Sequence, residues 1–480
     1  MFCKDDKKTL FLYSGLALLF IYPLILAGVF YRDDLDRAIT GQYGWRGLGR
    51  PIADILMKIL SASGQHNLDL FPYTMIVSCL FIGGASLLLC KHLIQQGVPH
   101  AKFIAALLIF NPYLLQNIAY RYDSLGMAIA FFLAVLSYAY RNSSRTREIS
   151  TRLISGVLAL TLYQPCTNIF IGLLAIDIMV LAVKNGSTVA QVIKLILKKA
   201  MMLIGFYIIY MLFFAVKSNS RANIISPTAE GFEQLLNTMK GLKELVFSYF
   251  YGPVYIYFLI PAVTAFIFMI INNYPHKNKI AYFIICTILS CFIFLVSLMG
   301  PTIFLQDAPV FPRTLVSFSV LMVIIAIPIM CYLPRLKYLT LIPAITAFAF
   351  SAQLSSAMKS QREYENFVFN MIARDIVNHP KIELIGTIGQ VNIDERVKLI
   401  MSSKPLVGYF LSPASEFLAS FQLINKGLTQ TLHGYVDEQA NMNRLAKMID
   451  KGIKPISSNK DYSLYIFENE AIVTLGVTNE

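Results

Sequence analysis

Long apolar runs broken by short polar segments fill the chain from about residue 9 to residue 357. A helix that crosses a bilayer needs about 20 apolar residues, with a range of about 17–25. The runs place candidate spans at roughly 9–30, 70–90, 103–119, 125–140, 153–167, 168–183, 200–217, 253–272, 280–299, 314–333 and 338–357. The third to sixth are short, so their shared boundaries can move by several residues. Beyond residue 357 the pattern is that of a water-soluble domain. It predicts a helix over 359–377, a strand over Lys381–Ile385, and helices near 412–425 and 436–450. It ends on a β-hairpin, Tyr462–Phe467 and Ala471–Leu475, joined by Glu468-Asn469-Glu470. The expected architecture is an all-α polytopic membrane protein of about eleven transmembrane helices, residues 1–357, with a small α/β C-terminal domain, residues 358–480.

Two polar segments between spans carry helical periodicity of their own. After Pro51, a favourable first helical residue, Ile52, Ile55, Leu56, Ile59 and Leu60 share one face, with Asp54 and Lys58 off it. In the stretch after the seventh span, Phe232, Leu235, Leu236, Met239, Leu242 and Val246 repeat in the same way. Such helices are expected to lie in the membrane interface plane.

Composition supports the membrane assignment. Of 480 residues 56% are hydrophobic and 14% charged, against about 25% charged in soluble domains. The net charge of +13 is unevenly distributed: residues 1–356 carry +14 and residues 357–480 carry −1. A basic chain can signal a nucleic-acid partner, but here the excess follows the spans. With the N-terminus in the cytoplasm, the cytoplasmic segments hold 17 bases against three acids, Asp5, Asp6 and Glu148. The opposite side holds 11 bases and 10 acids before the tail. The positive-inside rule supports this orientation, and eleven spans then put the tail outside. The run Thr9–Tyr31 is too long for the apolar core of a signal peptide and has no small-residue cleavage site after it, so it is expected to be a retained first span. Cys3, Cys79, Cys90, Cys166, Cys286, Cys291 and Cys331 form no CxxC pair or Cys/His cluster, and are expected to be small apolar residues in helices.

Polar chemistry gathers on the outer side. The densest cluster follows the first span, Tyr31-Arg32-Asp33-Asp34-Leu35-Asp36-Arg37, and runs on to the only tryptophan, Trp45, and to Arg50. On a helix, Asp33 and Arg37 share a face. A carboxylate held by arginine stays ionised and can accept a proton from a hydroxyl. The plain alternative is a solvated loop with an interfacial tryptophan. A second cluster is the short turn Asn117–Ser124, with Tyr120, Arg121 and Asp123. A third is Tyr163-Gln164-Pro165-Cys166-Thr167-Asn168, whose polar groups alternatively serve a broken helix backbone. A fourth pairs Asp307 with Arg313, an arginine suited to a lipid phosphate or to snorkelling. Asp177 stands alone within a span and is expected to be a helix-packing partner. No phosphate-binding glycine motif and no nucleophile elbow is present.

At these residues the sequence resembles the phage- and prophage-encoded O-antigen glucosyltransferases of the Gtr type, which change serotype in enteric bacteria. The resemblance rests on Asp33-Asp34-Leu35-Asp36-Arg37, Trp45 and Gly49-Arg50-Pro51. Asn111-Pro112, Tyr120-Arg121-Tyr122-Asp123-Ser124-Leu125 and Tyr163-Gln164 extend it. It covers about residues 10–320 and the general plan of a soluble tail. It implies a GT-C-like fold and an inverting transferase that uses a polyprenyl-phosphate sugar on the periplasmic face of the bacterial inner membrane. The acceptor is then O-antigen polysaccharide. Carried over, the catalytic acid is Asp33, with Asp34 next. Arg37, Arg50, Arg121 and Arg313 become candidates for the lipid phosphate. Tyr120, Asp123 and Gln164 become candidates for sugar contacts, and Asp36 and Trp45 complete the candidate substrate site.

An oxocarbenium-like transition state needs a base at the acceptor and positive charge at the leaving phosphate. Arginines can supply that charge, so no cofactor is expected, although carboxylates could hold Mg²⁺. The competing class is a flippase or transporter of a lipid-linked sugar, which tends to carry inverted repeats and midplane polar residues. A structural envelope protein would leave the clustered acids unexplained.

Overall fold

The computed structural model describes residues 4–184, 188–216, 223–273, 277–432 and 438–476. Cys3, the first residues of the expected 436–450 helix and part of the expected 218–252 loop lie outside these. The chain divides into two compact units. The first comprises Met1–Ile25, Gly44–Ala62 and Leu70–Ala352; the second comprises Leu26–Tyr43, Ser63–Asp69 and Gln353–Glu480. The acidic turn after the first span therefore belongs to the same unit as the C-terminal residues.

The first unit is helical. Among the described residues six helices are long and apolar enough to cross a membrane: Lys4–Ala27, Tyr73–Gln95, Gln164–Val183, Val254–Asn272, Ile280–Phe304 and the one that begins at Pro334. The expected count of about eleven is not reached on these criteria. Ser124–Ala139 and Val320–Tyr332 are apolar but shorter. Arg145–Leu162 and Val189–Phe213 are helical but carry charges in their N-terminal halves. The expected span at 103–119 is broken into Ala101–Ala106, a 3₁₀ turn Leu107–Ile109, and Leu115–Ala119. The break falls at Asn111-Pro112, because proline removes a backbone donor and drives the preceding residue out of the helical region.

Small residues let these helices approach. A Cβ on Gly83 would meet Ser14 Oγ at 2.6 Å, and one on Gly156 would meet the Phe206 ring at 2.5 Å. Close backbone approach of this kind is the usual means of packing in lipid, where no hydrophobic force separates helix from tail. Asp177 serves the packing as expected. Its carboxylate lies 2.7 Å from His92 Nε2, and accepts from Gln96 Nε2 at 2.7 Å and the Tyr138 hydroxyl at 2.6 Å. Lys199 Nζ donates to the Tyr138 carbonyl at 2.9 Å and sits over that ring. Of the described cysteines, Cys79, Cys90, Cys166 and Cys286 are buried and none is paired.

The expected amphipathic helices form at Pro51–Leu60 and Ala229–Tyr249. In the first, Ala53, Asp54 and Met57 are buried while Ile55 and Ile59 are exposed. Asp54 is buried because Arg46 Nε and Lys58 Nζ close on it at 3.0 and 2.9 Å. In the second, Phe232, Leu236 and Met239 are exposed. These outward apolar rows suit a helix lying at a lipid surface.

The expected 338–357 and 359–377 helices are one helix, Leu341–Val377. At 1.5 Å per residue it is about 55 Å long, well beyond a hydrocarbon core of about 30 Å. The second unit continues with a four-stranded mixed sheet: β1 (Leu384–Gly389), β2 (Ser457–Ser458), β3 (Tyr462–Phe467) and β4 (Glu470–Leu475), in the order β1-β4-β3-β2. β1 runs parallel to β4, and the other pairs are antiparallel. The expected hairpin forms, but its turn is one residue shorter than expected: Glu470 pairs with Phe467 and belongs to β4, Tyr462 lies opposite Leu475, and Glu468 has φ +55° in the turn. Val368, Phe369, Ile372 and Ile376 bury one helix face against Ile385, Leu464, Val473 and Leu475. Short helices Glu395–Ser403, Glu416–Asn425 and Glu438–Asp450 complete the unit.

Candidate functional site

Within the first unit, six of the residues singled out from sequence form three pairs. Trp45 is 1% exposed, and its Nε1 donates to Asp123 Oδ1 at 2.6 Å. Arg50 Nε donates to Gln164 Oε1 at 2.9 Å, and its guanidinium lies 4.7 Å from the Tyr163 ring centre. Arg313 Nη1 donates to the Tyr120 hydroxyl, with the guanidinium over the Tyr120 and Phe311 rings at 5.5 and 5.2 Å. Arg121 makes a similar contact, 4.3 Å from the Phe71 ring centre.

Neighbours fix each pair in place. Gln164 Nε2 donates to the Leu48 carbonyl at 3.1 Å and to the Tyr210 hydroxyl at 2.8 Å, and Tyr210 donates on to the Gly49 carbonyl at 3.0 Å. Gly49 has φ +70°, and a Cβ there would lie 2.5 Å from the Tyr210 hydroxyl, so both conformation and space require glycine. Burial lowers the pKa of Arg50 below the usual guanidinium range, while Tyr163 and Asp123 push it back up; a guanidinium keeps its charge through such a shift. Around Arg313, Gln116 Oε1 accepts from the backbone N–H at 2.9 Å and Asn117 Nδ2 donates to the carbonyl at 3.1 Å. Asn111 Nδ2 donates to the carbonyls of Leu315 and Val316 at 3.1 and 2.9 Å. Tyr210, Gln116 and Phe71 carried no sequence signal, since each lies in an apolar or unremarkable stretch and matters only through a partner remote in the chain.

Within the second unit, the acidic turn opens the helix Asp34–Thr40. Asp33 pairs with Arg37 at 3.2 Å, and Arg37 also donates to the Tyr43 carbonyl. Asp34 is buried, and its Oδ2 accepts from the Tyr31 backbone N–H at 3.0 Å. Asp36 accepts from Gln42 Nε2 and the Thr40 hydroxyl. It is the acid of the three that lines an open cleft, together with Tyr31, Arg32, Gln361, Arg362, Glu365 and Gln422. None of the last four stands out in the sequence. Among the described residues no group of three His, Cys, Asp or Glu side chains is placed to hold a metal ion.

Chemically, the first unit offers arginines laid against aromatic rings, which suits an anionic oxygen. The second offers carboxylates and carboxamides around a cleft, which suits hydroxyl groups. No solved structure matches the chain. A protein of Salmonella phage P22, described as an uncharacterized 55.3 kDa protein in the gtrB 5′ region, is 24% identical over 420 residues, covering 82% of this chain and 85% of its own. The sequence profile of a family described as glucosyl transferase GtrII matches residues 22–330.

Proposed function

The chain belongs to the glucosyl transferase GtrII family, and from that premise we propose that it transfers a hexose, glucose by the family's description, from a polyprenyl phosphate to O-antigen polysaccharide. Glycosyl transfer and membrane association follow from the family and the apolar helices. The donor, the acceptor and the periplasmic side are the proposed part.

The observation that carries the donor is the set Arg50, Arg121 and Arg313, each held against an aromatic ring. A phosphate leaving group develops charge as the sugar departs, and preorganised donors stabilise that charge without reorganising. Charge-assisted hydrogen bonds of this kind contribute about 1.5–3 kcal/mol each. The acceptor hydroxyl needs a carboxylate base, which the turn Asp33–Asp36 supplies in this scheme. Asp33 and Asp34 stand first by resemblance; Asp36, which lines the cleft, is their competitor. The scheme needs no metal, and chelation is expected to leave the rate unchanged. A transporter of a lipid-linked sugar could use similar arginines, but the family description is that of a transferase.

The deciding experiment supplies the purified chain with O-polysaccharide and either polyprenyl-phosphate glucose or UDP-glucose. Transfer from the lipid donor alone is expected. Robust transfer from UDP-glucose with no lipid present would overturn the proposal.

A further inference from the structure

The cleft of the second unit contains polar groups that the protein itself leaves unused. Glu365 is 6% exposed, and both of its hydrogen bonds, from Gln361 Nε2 at 3.0 Å and the Ala414 backbone N–H at 3.1 Å, end on Oε1. Among the described residues Oε2 accepts no hydrogen bond. Gln422 is 7% exposed and lines the same cleft, and among the described residues its carboxamide makes no hydrogen bond. Buried polar groups are almost always paired, and those left open at a cavity await a ligand or water. Gln361 is a positioning residue: its Nε2 also donates to the Asn392 carbonyl at 3.1 Å, and its Oε1 accepts from the Asp394 N–H at 3.0 Å. That leaves Glu365 Oε1 fixed and Oε2 oriented.

The remaining lining narrows the ligand. Asp36 and Glu365 put two carboxylates in one cleft, which disfavours a phosphate or another anion despite Arg32 and Arg362. Tyr31, Phe410 and Phe421 add aromatic surface. Acceptors, a carboxamide that both donates and accepts, and flat apolar rings are what a pyranose requires: hydroxyls on its edge and C–H groups on its face.

We propose that this cleft, walled by the turn after the first span and by the C-terminal segment, is a saccharide-binding site that holds the acceptor glycan. Glu365 Oε2 and Gln422 are the hydroxyl-binding groups. Only the word acceptor rests on the glycosyl-transfer reading; saccharide binding stands on the cleft.

The test uses the full-length chain in lipid nanodiscs on an array of bacterial O-polysaccharides, beside the Gln422→Ala and Glu365→Gln variants. Wild-type protein is expected to bind at least one polysaccharide. Gln422→Ala should weaken that binding at least tenfold and Glu365→Gln severalfold, both with unchanged Tm. Binding of equal strength in both variants, or no wild-type binding to any polysaccharide, overturns the proposal. The transfer assay separates the two claims. Glycan binding without transfer from any polyprenyl-phosphate sugar sinks the donor reading and spares the cleft. Transfer with an acceptor KM that Gln422→Ala leaves unmoved sinks the cleft and spares the donor reading.

Discussion

The indole N–H of Trp45 donates to the carboxylate of Asp123 at 2.6 Å, across 78 residues of chain. The bond ties the segment after the acidic turn to the short turn Tyr120–Ser124 inside one unit. Because Trp45 is the only tryptophan, the emission of the protein reports the surroundings of this one side chain. Asp123→Ala should shift the emission and lower transfer at least tenfold. Loss of this carboxylate acceptor from a buried N–H should cost about 1–3 kcal/mol of stability. Unchanged emission would mean the contact does not form in the membrane.

Arg50 and Gln164 should act as a unit. Lysine cannot reproduce both the Nε bond and the stacking on Tyr163, so Arg50→Lys is expected to reduce transfer at least tenfold, chiefly through donor KM. A double-mutant cycle with Gln164→Ala should show a coupling of about 0.5–3 kcal/mol. Simple additivity would show that the two groups work apart.

The acids of the first turn differ in environment, so their Asn variants should separate by role. Asp33→Asn is expected to abolish transfer with normal membrane expression, and Asp34→Asn to be next in severity. The kinetic series, with Asp36→Asn alongside, identifies the base. Near-normal transfer in both Asp33→Asn and Asp34→Asn would remove them from that role and leave Asp36, the acid that lines the cleft.

Asp177 should matter for stability and not for substrate. Its removal strands His92, Gln96 and Tyr138 in the helix interior, and breaking such a buried network costs about 3–5 kcal/mol. Asp177→Ala is expected to lower the Tm in detergent with donor and acceptor KM values unchanged in the surviving protein. A normal Tm with a raised KM would assign it to the substrate path.

The orientation argued from lysine and arginine predicts that alkaline phosphatase fused after Glu480 is active. A cytoplasmic fluorescent reporter at the same point should be dark. The reverse pattern would mean an even number of crossings, and the shortened or broken apolar segments between 103 and 183 are where the count would change.

The sequence by itself determined the features that depend on local periodicity and solvent. Apolar runs of bilayer length can be satisfied only as helices, so helices appear where those runs are. The alternation at 462–475 and its turn residues specify the hairpin, although Glu470, expected in the turn, pairs with Phe467 in the ladder. The residues of the polar clusters between apolar runs were also legible, because charges beside such runs stand out. Their partners were not. Trp45 with Asp123, Arg50 with Gln164 and Arg313 with Tyr120 meet across 78, 114 and 193 residues. No periodicity carries information over such distances, since the pairing is decided by how helices pack. The same holds for the division of the chain. The acidic turn shares a unit with residues 353–480 rather than with Arg50, Arg121 and Arg313. Glu365 and Gln422 read as ordinary residues of soluble helices, and only tertiary packing, which buries them and leaves their polar atoms open at a cleft, marks them out.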